Sequence, residues 1–185
     1  MRDKNNRRSC LAKRGHSSKT LCLELDVTNR ADFAAAADAT EDRFGKIHIL
    51  CNNAGVAVVG PTELANFADW DWVMGVNVGG TINGVTTMLP RILSHGEGGH
   101  IVNTASMSGI VPVGGTTIYS TGKAAVVTMM ECMRPELEAK GVEPLARQIR
   151  PGTPGWSAWK EMASEMASMI RPEVVEVPSP SGYTL

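Results

Sequence analysis

Ser106, Tyr119 and Lys123 have the types and spacing of an acid–base site. They lie in Asn103-Thr-Ala-Ser106 … Tyr119-Ser-Thr-Gly-Lys123, with thirteen positions from serine to tyrosine and four from tyrosine to lysine. A phenol exchanges protons poorly at neutral pH, because its ordinary pKa is about 10. A lysine four residues later stands on the same helical face, one turn away. Its positive charge favours the phenolate. A serine hydroxyl at the same point can hold a carbonyl or hydroxyl oxygen while the phenol exchanges a proton with it. The chemistry is proton movement at an alcohol or ketone carbon. By itself the tyrosine–lysine pair also fits an ordinary solvated helix face, so the surrounding elements decide.

Those elements follow a pattern. The apolar run Ile47-His-Ile-Leu50 leads into Cys51-Asn52-Asn53-Ala54-Gly55, and Leu21-Cys-Leu-Glu-Leu25 leads into Asp26-Val27-Thr28. Asn77 lies in Gly75-Val-Asn77-Val-Gly79. Strands alternating with helices imply parallel crossovers and an open sheet. The expected order is a strand over Lys19–Leu25, a helix over Ala31–Phe44 capped by Thr28 or Asn29, and a strand over Lys46–Cys51. A short helix over Thr62–Trp72 and a long one over Val73–Leu93 follow, the latter despite four glycines that each cost a helix about 1 kcal/mol. A strand over His100–Ala105, a glycine-rich loop over Ser108–Thr117 and a helix over Tyr119–Lys140, with Pro135 as a possible kink, complete the core. Ligands bind beyond the carboxyl ends of strands in such sheets. Asp26, Asn53 and Ser106 each fall at or just past one.

In this order the five motifs resemble the short-chain dehydrogenase/reductase family of nicotinamide-dependent oxidoreductases, from about Leu21 to Gly141. The resemblance implies an α/β fold, a Rossmann-like doubly wound parallel sheet in three α/β/α layers. It implies that Tyr119 is the general acid/base and that Lys123 tunes it and holds the nicotinamide ribose. Ser106 would bind the reacting oxygen. Asn77 would break the long helix and order a water linking Lys123 to solvent. Asp26 and the Val27 backbone would meet the adenine, and Asn53, Ala54 and Gly55 would wall the cofactor, with Tyr119 and Lys123 also touching it. Pro151 and Gly152 match the family's Pro-Gly turn on the cofactor. The cofactor would be NAD or NADP, and the substrate a small secondary alcohol or ketone. The run from Trp72 to Gly84 also resembles members acting on benzylic alcohols of aryl ethers. The two long helices match those that pair subunits, which implies a homodimer or homotetramer.

Other readings stay open at single positions. Asp26 equally fits a cap for the next helix, and Asn52 and Asn53 fit simple turn formers. Ser108 lies two positions nearer Tyr119 than Ser106, so Ser106 is the choice. The four histidines show no ligand spacing and read as structural or surface groups; no metal is expected. Met129, Met130 and Met133 read as core or interface filling.

At 185 residues the chain fits one domain with room for a core. Residues 1–155 read as an incomplete Rossmann domain, and 156–185 as a divergent helix and loose tail of the same domain. A net charge of −1 gives no general reason to expect nucleic acid. No apolar run approaches the roughly 20 residues that span a bilayer. Four scattered cysteines without a Cys-x-x-Cys pair argue for reduced thiols in the cytoplasm. The basic first 19 residues fit a targeting peptide or a nucleic-acid arm, but a solvated helix face is the simpler reading.

The pattern departs from the family at both ends. No strand and Gly-rich turn for a pyrophosphate precede Lys19, and the residue that would choose between NAD and NADP goes with them. Val142–Ile149 is polar for a buried strand, and Pro144 argues against one. A truncated, catalytically incompetent relative is therefore the competing reading.

Overall fold

A computed structural model describes residues 20–144. Asn29 opens the first helix: its Oδ1 accepts the N–H groups of Ala31 and Asp32. Helix α1 runs Arg30–Phe44 and stops at Gly45, whose φ of 85° suits a residue without Cβ. Strand β1 is Ile49–Asn52. A 3₁₀ turn at Thr62–Leu64 precedes helix α2, Phe67–Met74. Asn66 and Asp69 cap α2 reciprocally, each side chain taking the other's backbone N–H. A wide π turn, Gly75–Gly79, joins α2 to helix α3, Gly80–Ser94. Strand β2 is Gly99–Asn103, followed by a 3₁₀ turn at Met107–Gly109. Helix α4 runs Thr117–Glu138 and continues past Pro135, and strand β3 is Val142–Pro144.

The three strands are parallel in the order β1-β2-β3. Leu50 pairs with Ile101, Asn52 with Asn103, and Gly99 with Val142. Strand side chains alternate between faces. Leu50, Ile101 and Val142 join Phe33 and Ala37 of α1, Met88 and Ile92 of α3, and Met130 and Leu137 of α4 in one core cluster. Ile49 and Cys51, on the other side of β1, are exposed. The parallel sheet and its helices are therefore as expected. Among the described residues one helical layer covers it; the second layer is not part of them.

Three expectations need correction. The strand over Lys19–Leu25 is not found among the described residues: there Thr20–Leu25 joins no ladder, and Leu21, Leu23 and Leu25 are exposed. An alternating sequence can suggest a strand, but a strand needs a neighbour to take its backbone groups. The long helix over Val73–Leu93 is not one element, because the π turn interrupts it. Lastly, Val142–Pro144 does enter the sheet despite its polarity, with Val142 fully buried against α4. Pro144 is tolerated because β3 is an edge strand among the described residues. The proposed Pro-Gly turn, the tail helix and the basic amino end lie outside those residues.

Close packing explains two of the four helical glycines. A Cβ on Gly80 would stand 2.8 Å from Val27 Cγ2, and one on Gly84 would stand 2.2 Å from Asn52 Oδ1. Helix α3 thus lies directly on the loop after Leu25 and on the end of β1. No described helix is long and apolar enough to cross a membrane.

Candidate active site

Lys123 is the centre of the polar set. It is 5% exposed, and its Nζ donates to the Thr104 carbonyl just beyond β2 at 2.7 Å. Burial pushes its pKa down. The carbonyl is neutral, so it holds the ammonium without cancelling its charge. One turn earlier on α4, the half-buried Tyr119 ring centre lies 5.7 Å from Nζ. Helix geometry alone brings these two together.

Asn77 reaches the same point from the π turn. It is 2% exposed, and its amide grips the Val56 backbone like a strand partner. Oδ1 accepts the Val56 N–H at 2.8 Å and Nδ2 donates to the Val56 carbonyl at 2.9 Å. The Asn77 carbonyl in turn accepts the Thr81 hydroxyl at 2.8 Å. A Cβ on Gly55 would stand 3.4 Å from both Asn77 Oδ1 and Lys123 Nζ. The loop after β1 is therefore seated on both side chains. Its Asn53 Oδ1 accepts the Thr104 hydroxyl at 2.8 Å, which ties the exits of β1 and β2. Beneath it Asn52 donates to the Asn103 side chain at 2.8 Å.

Ser106 opens the 3₁₀ turn after β2, and its Oγ accepts the Ser108 N–H at 3.2 Å. That turn lies hard against α4: a Cβ on Gly109 would stand 2.7 Å from the Lys123 carbonyl carbon. Ser106 thus opens the turn whose far end, Gly109, is seated on the Lys123 backbone.

Asp26 stands apart. It is exposed and accepts both the N–H and the hydroxyl of Thr28, at 2.9 and 2.8 Å. The backbone bond first, then the hydroxyl, holds its carboxyl below the ordinary 3.8. Asn29 is the helix cap, so Asp26 is not needed for that task. The Val27 carbonyl accepts Asn83 Nδ2 at 2.9 Å, which fastens this loop to α3. Among the described residues no hydrogen bond joins this loop to Lys123. Pro151 and Gly152 lie outside the described residues.

The sequence reading missed Val56, Thr104 and Asn83. The first two act through backbone atoms, which leave no signature in residue type. Asn83 offered only a faint one, a polar residue on the buried side of α3. Two clefts on the described surface flank the set. One is lined by Val58, Pro61, Leu64 and Ile118, another by Ser108, Pro112, Ser120 and Ala124.

Comparison with known proteins bears on the family and the fold. The C alpha-dehydrogenase of Sphingobium sp. (strain NBRC 103272 / SYK-6) is 36% identical over 161 residues, which cover 80% of this chain and 53% of that protein. The chain thus spans about half the length of that curated relative. The crystal structure of apo LigO from Sphingobium sp. strain SYK-6 matches with a TM-score of 0.67 at 41% identity, over 87% of this chain and 59% of that one. A short chain dehydrogenase/reductase from Burkholderia phymatum, solved in complex with NAD, matches with a TM-score of 0.70 at 31% identity, over 85% and 64% of the two chains. The sequence profile described as short chain dehydrogenase matches residues 1–167, nearly the whole chain, so this chain belongs to that family.

Proposed function

We propose that the chain is an NAD- or NADP-dependent oxidoreductase, or a part of one, that interconverts a secondary alcohol and a ketone. The observation that carries this reading is the buried Lys123 ammonium, held by a neutral carbonyl beside the Tyr119 ring and against Gly55. An ammonium has three protons, and one serves Thr104. The others are donors for ribose hydroxyls, while the backbone at Gly55 offers a wall without a side chain. The residues present therefore fit a nicotinamide nucleotide, with Asp26 and Val27 toward its adenine and Asn53–Gly55 along its side. When bound, the nicotinamide accepts or supplies the hydride.

In the oxidising direction Tyr119 takes the hydroxyl proton; in reduction it gives a proton to the ketone oxygen. Lys123 sets a buried cation 5.7 Å from the centre of the Tyr119 ring. Ser106 accepts from Ser108, which leaves its own proton to hold the reacting oxygen. Asn77 fixes the loop at Val56 and keeps Lys123 in register with it. The benzylic secondary alcohols of aryl ethers are the first substrates to try. The Trp72–Gly84 run and the similarity to a C alpha-dehydrogenase both support that choice. Pairing of two or four copies through α3 and α4 is part of the proposal, and exposed Ile82 on α3 supports it. A cytoplasmic setting suits the free thiols of Cys22, Cys51 and Cys132.

The test combines calorimetric titration of NADH and NADPH with turnover followed by nicotinamide absorbance. Binding and turnover are expected, with turnover lost in Tyr119→Phe by roughly 10²- to 10⁴-fold while circular dichroism stays the same. Full activity in that variant would sink the mechanism. No binding of either nucleotide would favour a chain that cannot hold the cofactor by itself.

A further inference from the structure

We propose that His48, His95 and Glu97 form a binding site for Zn²⁺ at the end of the sheet opposite Tyr119 and Lys123. His48 immediately precedes β1, whereas Asn53 follows it, so this site lies about 15 Å or more from the proton-transfer residues. One ligand atom from each of the three side chains lies within 4.8 Å of the other two. In a tetrahedral zinc site, nitrogen and oxygen ligands at about 2.0–2.2 Å stand roughly 3.4 Å apart. Small rotations of these surface side chains close the difference. His48 Nε2 and Glu97 Oε2 are already 2.9 Å apart, and the two imidazole rings lie 4.5 Å apart.

The orientation of His95 is a second and separate observation. Its Nε2 lies 2.9 Å from the Ile47 carbonyl. A carbonyl only accepts, so Nε2 carries the proton and Nδ1 keeps the lone pair. Nδ1 faces the Glu97 backbone, whose N–H donates to it over a long 3.2 Å. A histidine that ligates a metal almost always fixes its other N–H on a carbonyl or carboxylate in this way. Two imidazoles and one carboxylate suit zinc, whereas magnesium and calcium prefer oxygen ligands throughout. The fourth position is open to water.

The fold supplies the juxtaposition. The His48 carbonyl accepts the His100 N–H at 2.8 Å, so the entry to β1 runs beside the α3–β2 turn that carries His95 and Glu97. The Glu97 carboxylate also carries an ion pair. Lys46 Nζ sits 2.5 Å from Glu97 Oε1, but this is the carboxylate oxygen that His48 does not use. An ion at the site therefore takes the place of the His48–Glu97 contact on Oε2, while Lys46 stays on Oε1.

The experiment uses the full chain, stripped with a chelator and titrated with Zn²⁺, with calorimetry and thermal unfolding as readouts. Wild type is expected to bind one equivalent and unfold at a higher temperature, and Mg²⁺ is expected to do neither. The double variant His48→Ala/Glu97→Gln should lose that equivalent and the temperature shift. An unchanged stoichiometry and shift in the variant would assign the zinc to other thiols or histidines and overturn the proposal. Should the variant fail to fold, proton–nitrogen NMR of the wild-type imidazoles decides. Resonances of His48 and His95 must move on adding zinc; unmoved resonances would overturn the site.

Discussion

Lys123 and Lys46 stand at opposite ends of the same sheet and carry the same group. Lys46 is exposed and pairs with the Glu97 carboxylate, which it and His48 hold at a pKa of about 2, against an ordinary 4.5. Lys123 is buried and donates to a neutral carbonyl. An exposed ion pair is largely screened by water and contributes little. A buried ammonium without a neutralising partner costs free energy, and its charge remains available to whatever binds beside it. The difference shows how this fold separates a rim that can act on a substrate from one whose charges satisfy each other.

The sharpest way to break the comparison is to remove each lysine. Lys123→Ala is expected to lower turnover by roughly 10²-fold or more, because it removes the buried cation beside the Tyr119 ring and the donor that would hold the ribose. Lys46→Ala is expected to leave turnover unchanged. Turnover of both variants, followed by nicotinamide absorbance, checks the pair, and equal losses would end the contrast. Asn77→Ala tests the loop that shelters Lys123. It strips the Val56 N–H and carbonyl of their partner and should cost about 2–4 kcal/mol in urea unfolding.

Gly84→Ala probes the floor of the same rim. Its Cβ would collide with the Asn52 amide, which is already committed to Asn103. A loss of about 1–3 kcal/mol is expected in the same unfolding experiment. The smallest effect belongs to the other rim. Glu97 has a folded pKa below its unfolded one, so its stabilising contribution is present above about 4.5 and fades as the pH falls toward 2. Melting temperatures of wild type and Glu97→Gln should therefore differ slightly at neutral pH and converge in acid. A gap that widens in acid would contradict the ion-pair reading of this rim.

Much of this was legible from residue order. A cap at Thr28 or Asn29 and a stop after Phe44 were readable because capping is a contact across two or three residues, and the structure places the cap on Asn29. The tyrosine–lysine pair was readable because one helical turn fixes it. The glycines around Asn77 flagged an irregular helix, though not the π turn that results. Thr20–Leu25 misled, since its alternation says nothing about whether a strand stands next to it. Val142–Pro144 misled in the opposite sense: its polarity argued against a strand that β2 and α4 nonetheless accept.

By itself the sequence determined the helix that ends at Phe44, its cap at Thr28 or Asn29, and the one-turn step from Tyr119 to Lys123, because these depend on neighbours along the chain. Only the tertiary structure decided that Lys123 donates to Thr104, that Asn77 grips Val56, that Asn83 holds Val27, and that His48 meets His95 and Glu97. These partners are 19 to 56 positions apart, and several act through backbone atoms common to every residue. Such contacts exist only once parallel strands and the helices on them have been packed.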